Sequence, residues 1–149
     1  SILFAMMKYM KEKHIYLAGK LNSDEGSVEA FAEELEAAGH TVMEKWWSKE
    51  ALPTPYLENR ETSSRAAAAM ITAAYECDVF VLFARDNILG AAVELGAAIA
   101  STASNPEKVV VVNGAEHVRQ SVFYAHPAVI AIDSLKELRA MDWVGKRHE

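Results

Sequence analysis

Glu94 is the residue whose surroundings in the sequence best suit chemistry on a small molecule. It lies in an Ala-rich segment, residues 90–104, whose composition predicts a helix. On a helix, its neighbours three and four positions away are Gly90, Ala91, Ala97 and Ala98. Because these residues are small, they leave space for a ligand beside the carboxylate, which favours a pocket. An alternative interpretation, that Glu94 only complements the dipole of its helix, fits the same pattern.

Strands and helices alternate along the sequence around this segment. Apolar runs predict strands at residues 14–19, 41–43, 78–83, 108–112 and 129–132. Between them, helices are predicted at residues 28–38, 58–75 and 90–104, with a last helix from Ser134. Pro53 and Pro55 predict an irregular connection over residues 46–56. The alternation predicts an α/β fold: a single-domain, doubly wound, flavodoxin- or Rossmann-like parallel sheet of about five strands, with helices on both faces.

Three segments with polar or small residues follow strands of this sheet. They are residues 16–23, residues 85–90 and the pair Asn113–Gly114. In a parallel sheet the carboxyl ends of the strands share one edge, where ligands bind. We therefore expect the three segments to line one pocket.

Composition restricts the partners of the chain. Its 149 residues suit one domain, taken as residues 14–149 after an extension over residues 1–13, and 51% of them are hydrophobic. A net charge of -6 without a basic run argues against a nucleic-acid polymer. No apolar run of about 18 residues predicts a membrane span. The single Cys77 and scattered histidines indicate no disulfide and no metal site, which fits a cytoplasmic protein.

The order of several motifs resembles the nucleoside 2-deoxyribosyltransferase family and the related 2′-deoxynucleoside 5′-phosphate N-hydrolases. The motifs are IYLAG at 15–19, DVFV at 78–81, LGAAVELGAAIA at 89–100 and RQSVFYAHP at 119–127. The similarity extends over about residues 14–140. It implies the doubly wound fold and a reaction at the N-glycosidic bond of a nucleoside or nucleotide.

The resemblance implies roles for three candidate catalytic residues. Glu94 matches the glutamate that attacks the anomeric carbon, where breaking the glycosidic bond develops oxocarbenium character that a carboxylate stabilises. Tyr16 matches a tyrosine near that glutamate, and its hydroxyl can orient a carboxylate. The family often has an acidic residue late in the preceding helix to protonate the leaving base. Residues 66–75 contain none, and Asp86 or Asp24 is a possible substitute.

The resemblance also implies a substrate-binding set. Gly19, Lys20, Asn22 and Ser23 match a loop that accepts the 5′ side of the sugar, although a plain turn explains them equally well. Gly90 leaves space beside Glu94, and Ser121 falls where relatives reach into a neighbouring subunit's active site. We therefore expect a homo-oligomer with shared sites. Ile88 departs from the family, which has Asp or Ser there to contact the sugar.

Several charged and aromatic side chains allow more than one interpretation. Arg65, Arg85 and Lys20 are possible phosphate partners, which favours a nucleoside 5′-monophosphate over a free nucleoside. Trp46 and Trp47 could stack on a base or belong to the core. Asp78 is expected to satisfy backbone groups at the start of a strand.

The resulting hypothesis is an enzyme that needs no cofactor and either hydrolyses the glycosidic bond or transfers the sugar to another base. Its partner is a small nucleoside or nucleotide. One alternative is a non-catalytic nucleotide-binding module of the same fold. A second is an unrelated doubly wound domain in which Glu94 only caps a helix.

Overall fold

The centre of the protein is one parallel sheet of five strands in the order β2-β1-β3-β4-β5. We describe residues 12–21 and 25–145 from a computed structural model. The strands are β1 (His14–Gly19), β2 (Thr41–Val42), β3 (Val79–Phe83), β4 (Val109–Asn113) and β5 (Val129–Ile132). The helices are α1 (Val28–Ala37), α2 (Arg60–Glu76), α3 (Leu89–Ser101) and α4 (Leu135–Arg139). The predicted doubly wound fold is confirmed.

The strand order creates a switch point between β1 and β3. The chain leaves β1 towards β2 on one side and later continues from β3 to β5 on the other. Gly19 pairs with Phe83, and Phe83 pairs with Asn113, so β1, β3 and β4 end level with one another. A crevice forms beyond the strand ends at such a point, because the two connections diverge there.

Helices α1 and α4 cover one face of the sheet, here called the α1/α4 face. Phe31 and Leu35 of α1 and Leu138 of α4 are buried against β-strand side chains such as Leu17. Ser27 caps α1 by accepting a hydrogen bond from the backbone N–H of Ala30. This capping and the apolar stripe of α1 explain why the sequence predicted the helix correctly.

Helices α2 and α3 cover the opposite face, here called the α2/α3 face. Small residues, among them Ala73, Ala74 and Ala98, are buried there against Tyr16 and Phe80. Small side chains permit close packing of the two helices on the sheet. The buried amine of Lys108 donates hydrogen bonds to the carbonyl oxygens of Ala74 and Tyr75, which satisfies two acceptors at the end of α2. The α2/α3 face is therefore held by both packing and polar contacts.

The structure corrects some of the sequence-based expectations. The apolar run at residues 129–132 is typical of a buried strand, but it forms β5 at the sheet edge, where Ile130 is exposed. An edge strand has a neighbour on one side only, which is the physical reason. Asp78 plays the expected structural role, because its Oδ2 accepts the backbone N–H of His14 at 2.8 Å.

Two expectations concern the ends of the chain and membranes. The predicted extension over residues 1–13 stays a prediction, because residues 1–11 lie outside the described part. Within the described ranges, no helix combines the length and the apolar character of a membrane span.

Candidate active site

A cleft of about 730 Å³ opens at the carboxyl edge of the sheet. This volume falls within the range of about 300 to 1,000 Å³ that is typical of small-molecule sites. Its lining includes the ends of β1, β3 and β4, the first turn of α3, and the side chains Trp46, Met70, Glu94 and Asn113. The structure therefore brings together the three segments that the sequence placed at this edge.

Glu94 lies half-buried in this cleft, one turn into α3. Gly90 and Ala91 line the cleft beside it. A Cβ atom added at Gly90 would meet no atom within 4 Å, so the space next to the carboxylate is open. The sequence-based expectation that small residues leave space for a ligand beside Glu94 agrees with this geometry.

Tyr16 on β1 is the buried partner of Glu94. Burial raises the pKa of Glu94, while hydrogen bonding from the Tyr16 hydroxyl lowers it. Burial also raises the pKa of Tyr16, and the nearby Glu94 carboxylate raises it further, so the phenol stays protonated and can donate. The contact is loose, since neither the Tyr16 hydroxyl oxygen nor Oε2 of Glu94 completes a regular hydrogen bond. Such contacts often tighten only when substrate binds.

The ring of Tyr16 has a fixed position. It stacks on Phe80 of the neighbouring strand, with 5.7 Å between ring centroids and 7° between planes. Because the ring is fully buried, its hydroxyl has little freedom to move away from the carboxylate. Glu94 is thus placed by its helix and Tyr16 by the sheet.

The loop after β1 is held against the end of β3. Gly19 has φ +84, and a Cβ atom there would lie 2.2 Å from the carbonyl oxygen of Phe83. Only glycine fits this conformation and this close approach. Lys20 follows it as an exposed residue that lines the cleft. The position of the loop thus depends on the absence of a side chain at Gly19.

Arg85, after β3, binds the same loop. Its Nε donates to the carbonyl oxygen of Lys20 at 3.1 Å and its Nη2 to that of Leu21 at 2.7 Å. These bonds use two of the five N–H groups of the guanidinium that the sequence offered as a phosphate partner. Arg65 is elsewhere: it is an exposed residue of α2 that pairs with Glu61. Arg85 lines the cleft, so its assignment to phosphate stays a prediction, whereas Arg65 lies outside the described cleft lining.

Asp86 lies at the rim of the cleft and is exposed. Its Oδ1 accepts the backbone N–H of Arg119 at 2.7 Å, which joins the loop after β3 to the segment after β4. A hydrogen bond to a carboxylate holds it in one orientation. Asp86 is thus near the site and fixed by its partner, while its role as general acid stays a prediction.

Part of the cleft lining is apolar. Trp46, Leu21 and Met70 form it. Trp46 is fixed because its Nε1 donates to the carbonyl oxygen of Leu17 at 3.0 Å, and its ring meets that of Trp47 edge to face at 5.4 Å. Of the two tryptophans, Trp46 therefore presents a surface to a ligand.

The remaining predicted residues lie outside the cleft or outside the described chain. Asn22 and Ser23 are not among the described residues. Ser121 lines an adjacent hollow of about 550 Å³ together with Phe123 and Tyr124, and its Oγ accepts the backbone N–H of Phe123. The structure thus does not place Ser121 beside Glu94 of its own chain.

Met70 is a cleft residue that the sequence did not single out, whereas Asn113 was expected to line the pocket together with Gly114. Met70 is one residue of an Ala-rich helix, and its sequence context carries no signal of function. The position of Asn113, a polar residue at the end of an apolar strand, indicated that it belongs to the pocket. Its side chain is 3% exposed, and its Oδ1 has no hydrogen-bond partner in the described residues.

Comparison with known proteins finds a likeness in structure and none in sequence families. No protein-family model matches the chain, and no curated protein matches it. The chain is similar to the CMP N-glycosidase BcmB of Clostridium botulinum, with 17% sequence identity and a TM-score of 0.53. The match covers 84% of this chain and 93% of that one. The likeness shows a shared fold.

Proposed function

We propose that the protein cleaves the N-glycosidic bond of a nucleoside or nucleoside 5′-monophosphate, with Glu94 as the nucleophile. The observation that carries this proposal is the half-buried Glu94 carboxylate, which lines an open cleft and has the Tyr16 hydroxyl next to it. A carboxylate that only complemented a helix dipole would not need a buried hydroxyl donor beside it. The resemblance of the sequence motifs and the fold shared with an N-glycosidase support the same function.

The chemistry follows from the placement of these two groups. One Glu94 oxygen forms a bond to C1′ of the sugar while the bond from C1′ to the base nitrogen breaks. The bonding electrons leave with the base, which takes up a proton. The Tyr16 hydroxyl donates to the carboxylate, which orients it and keeps it ionised at a lower pH than burial alone would allow. A covalent glycosyl ester results.

The second step decides between hydrolase and transferase. If water attacks C1′, its oxygen forms the new bond, its proton goes to solvent, and the free sugar leaves with the Glu94 carboxylate restored. If a second base attacks, a new nucleoside leaves instead. Neither step requires a cofactor. Asp86, exposed at the rim, is the proposed proton donor for the leaving base.

The base of the substrate is proposed to lie against the apolar part of the cleft lining. Trp46, Leu21 and Met70 offer apolar and aromatic surface there, on which a flat base gains contact area. Gly19, Lys20 and Gly90 line the cleft around the sugar. We include 5′-monophosphates because the structurally similar BcmB is named for CMP.

We also propose a homo-oligomer in which Ser121 serves the neighbouring subunit's site. Large apolar side chains are exposed near its hollow: Leu89, Val93, Val122 and Phe123. Exposed apolar surface of this kind is typical of an interface. A second copy would cover it and bring Ser121 towards another cleft, since a two-fold interface is reciprocal.

A binding module without turnover is the second candidate. It is favoured by one observation: Met70 of α2 lines the cleft where a general acid on that helix would be expected. Such a module would bind nucleotides in the same cleft and release no base.

The test is incubation of the wild type and Glu94→Gln with ribo- and deoxyribonucleosides and their 5′-monophosphates, with and without an acceptor base. Chromatography then measures free base and exchanged nucleoside. We expect base release by the wild type and a loss of at least about 1,000-fold in Glu94→Gln, since a nucleophile is removed. Glu116→Gln, an exposed glutamate outside the cleft lining, is the matched control. Binding without release would support the module instead.

A further inference from the structure

Among the described residues, the apolar part of the cleft lining offers no acid to a leaving base. It consists of Leu21, Trp46 and Met70. The indole N–H of Trp46 is already bonded to the carbonyl oxygen of Leu17, and residues 66–75 of α2 contain no carboxylate. A neutral base takes up a proton as it leaves, and a general acid typically accelerates such a step by about 100- to 10,000-fold. A base bound against this surface therefore leaves most readily if it needs no proton.

The formal charges around the cleft are negative on balance. Of the described lining residues, Glu25, Asp86 and Glu94 are acidic, whereas Lys20 and Arg85 are basic. Arg85 already uses two of its N–H groups to bind carbonyl oxygens of the loop after β1. The whole chain has a net charge of -6. Because a cleft lined by one sign of charge attracts the opposite sign, the lining favours a ligand with a positive part.

Trp46 suits a positive part that is also flat. An aromatic ring attracts a cation over its face, and tryptophan does so more strongly than tyrosine or phenylalanine. The bond from its Nε1 to the carbonyl oxygen of Leu17, at 3.0 Å, holds the ring of Trp46 in the cleft lining. Met70 adds a polarizable thioether to the same surface. The apolar surface and the negative charge of the cleft therefore favour a flat cation over a neutral base.

We propose that the preferred substrate carries a positively charged base, an inference that rests on the proposed N-glycosidase function. The shared chemistry is a base ring with a formal positive charge while it is bound to the sugar. A pyridinium nucleoside and an N7-alkylated purine nucleoside both have this property, and the experiment separates them.

The positive charge changes what the protein must supply. One Glu94 oxygen forms a bond to C1′ while the bond from C1′ to the base nitrogen breaks, and the electron pair of that bond neutralises the ring. The base leaves as a neutral molecule without taking up a proton, so it does not depend on Asp86 at the exposed rim. Water then attacks C1′ through its oxygen, one proton goes to solvent, and the Glu94 carboxylate is restored.

The experiment compares two pairs of substrates that differ in the charge of the base. One pair is nicotinamide riboside and its 1,4-dihydro form, and the other is 7-methylguanosine and guanosine, each as the nucleoside and as the 5′-monophosphate. Each kcat/KM is divided by the rate of uncatalysed hydrolysis at the same pH, because charged bases leave faster even in water. We expect the wild type to favour the charged member at least about 10-fold after this division. The pair with the larger ratio identifies the kind of base.

Trp46→Leu tests whether the indole recognises the charge. We expect the ratio of kcat/KM between the charged and the neutral member to fall about 3- to 30-fold, which corresponds to the loss of a cation–π contact. The ratio does not depend on how much of the variant is folded, because both substrates meet the same enzyme sample. Tyr75→Leu removes an exposed aromatic ring outside the described cleft lining and is the matched control, so its ratio should equal that of the wild type.

Two results would overturn the inference. One is a wild type whose kcat/KM, after division by the uncatalysed rate, is equal for both members of each pair or higher for the neutral member. The other is an equal fall of kcat/KM on charged and neutral substrates in Trp46→Leu. Failure of the proposed function is a different result, since the wild type would then release base from none of the substrates.

Discussion

Arg85 donates a hydrogen bond from Nη2 to the carbonyl oxygen of Leu21 at 2.7 Å and so joins the loop after β3 to the loop after β1. A second bond from Nε to the carbonyl oxygen of Lys20 completes the connection. Both loops contribute residues to the cleft lining. The arginine that the sequence offered as a phosphate partner thus also holds two loops of the cleft together.

The first prediction concerns this connection. Arg85→Met should loosen the loop after β1, because two carbonyl oxygens lose a charged donor. We expect KM to rise about 5- to 50-fold with a smaller change in kcat, since binding geometry is affected more than the reacting groups. Steady-state kinetics of base release measure this. Arg65→Met, which removes an exposed arginine paired with Glu61, should leave both constants unchanged. A loss confined to kcat would contradict the positioning role.

The second prediction concerns pH. Glu94 must be ionised to attack, and burial raises its pKa. As the pH is lowered, activity should therefore be lost at a higher pH than an ordinary glutamate would cause. The Tyr16 hydroxyl lowers the pKa of Glu94, and Tyr16→Phe removes it. The acid limb of kcat/KM against pH should therefore move to higher pH in Tyr16→Phe. Tyr56→Phe, which alters an exposed phenol outside the cleft lining, is the control. An unmoved or lowered limb would show that the hydroxyl does not act on Glu94.

The sequence predicted the fold well because the fold is encoded by local patterns. Apolar runs such as residues 79–83 are buried on both sheet faces, and Ser27 and Ser134 cap their helices as their positions suggested. Glu94 and Gly90 could also be placed, since their spacing on one helix fixes their relation. These inferences required only distances along the chain.

The rest of the site depends on contacts between distant segments. Arg85 bonds to residues 20 and 21 across 64 or more positions, and nothing in its sequence context separates this role from phosphate binding. Asn113 was visible as a polar strand end, but that its Oδ1 is buried without a partner became clear only from the packing. Pairings of this kind are set by tertiary structure.

The third prediction tests the fit of Gly19 against β3. Gly19→Ala should lower the free energy of unfolding by about 2 to 4 kcal/mol, because positive φ is strained for alanine and its Cβ meets backbone atoms. Gly26→Ala is the matched control: φ is also positive there, but a Cβ would meet nothing within 4 Å. It should lose only about 1 kcal/mol from strain. Urea denaturation measures both variants. Equal losses would mean that the approach of Gly19 to Phe83 is not tight in solution.

The fourth prediction uses the open space at Gly90. Leucine there would extend into the cleft beside Glu94, so Gly90→Leu should lower kcat/KM at least about 10-fold. The fold should tolerate it, because a helix former replaces glycine and gains about 0.5 to 1 kcal/mol. Ala100→Leu adds similar bulk at an exposed position of the same helix and should leave activity unchanged. Activity and melting temperature are measured together. A fully active Gly90→Leu would place the substrate elsewhere.

The fifth prediction addresses the proposed shared sites. If Ser121 serves the partner's cleft, each site contains Glu94 of one subunit and Ser121 of the other, so Glu94→Ala and Ser121→Ala damage a site from different subunits. A mixed dimer then contains one site with both residues intact. When equal amounts of the two variants are refolded together, about half of the dimers are mixed, and each mixed dimer has one of its two sites intact. The activity should therefore exceed the summed activities of the two separate variants by about a quarter of the wild-type activity.

Light scattering of the same samples gives the number of subunits, and Phe123→Asp, which places a charge on the exposed apolar surface, should shift it towards monomer. As the control, Glu94→Ala co-refolded with a second nucleophile variant, Glu94→Gln, should restore nothing, because every site then lacks the nucleophile. A monomeric wild type with full activity would show that each cleft is complete within one chain and that Ser121 acts only as the cap of its own turn.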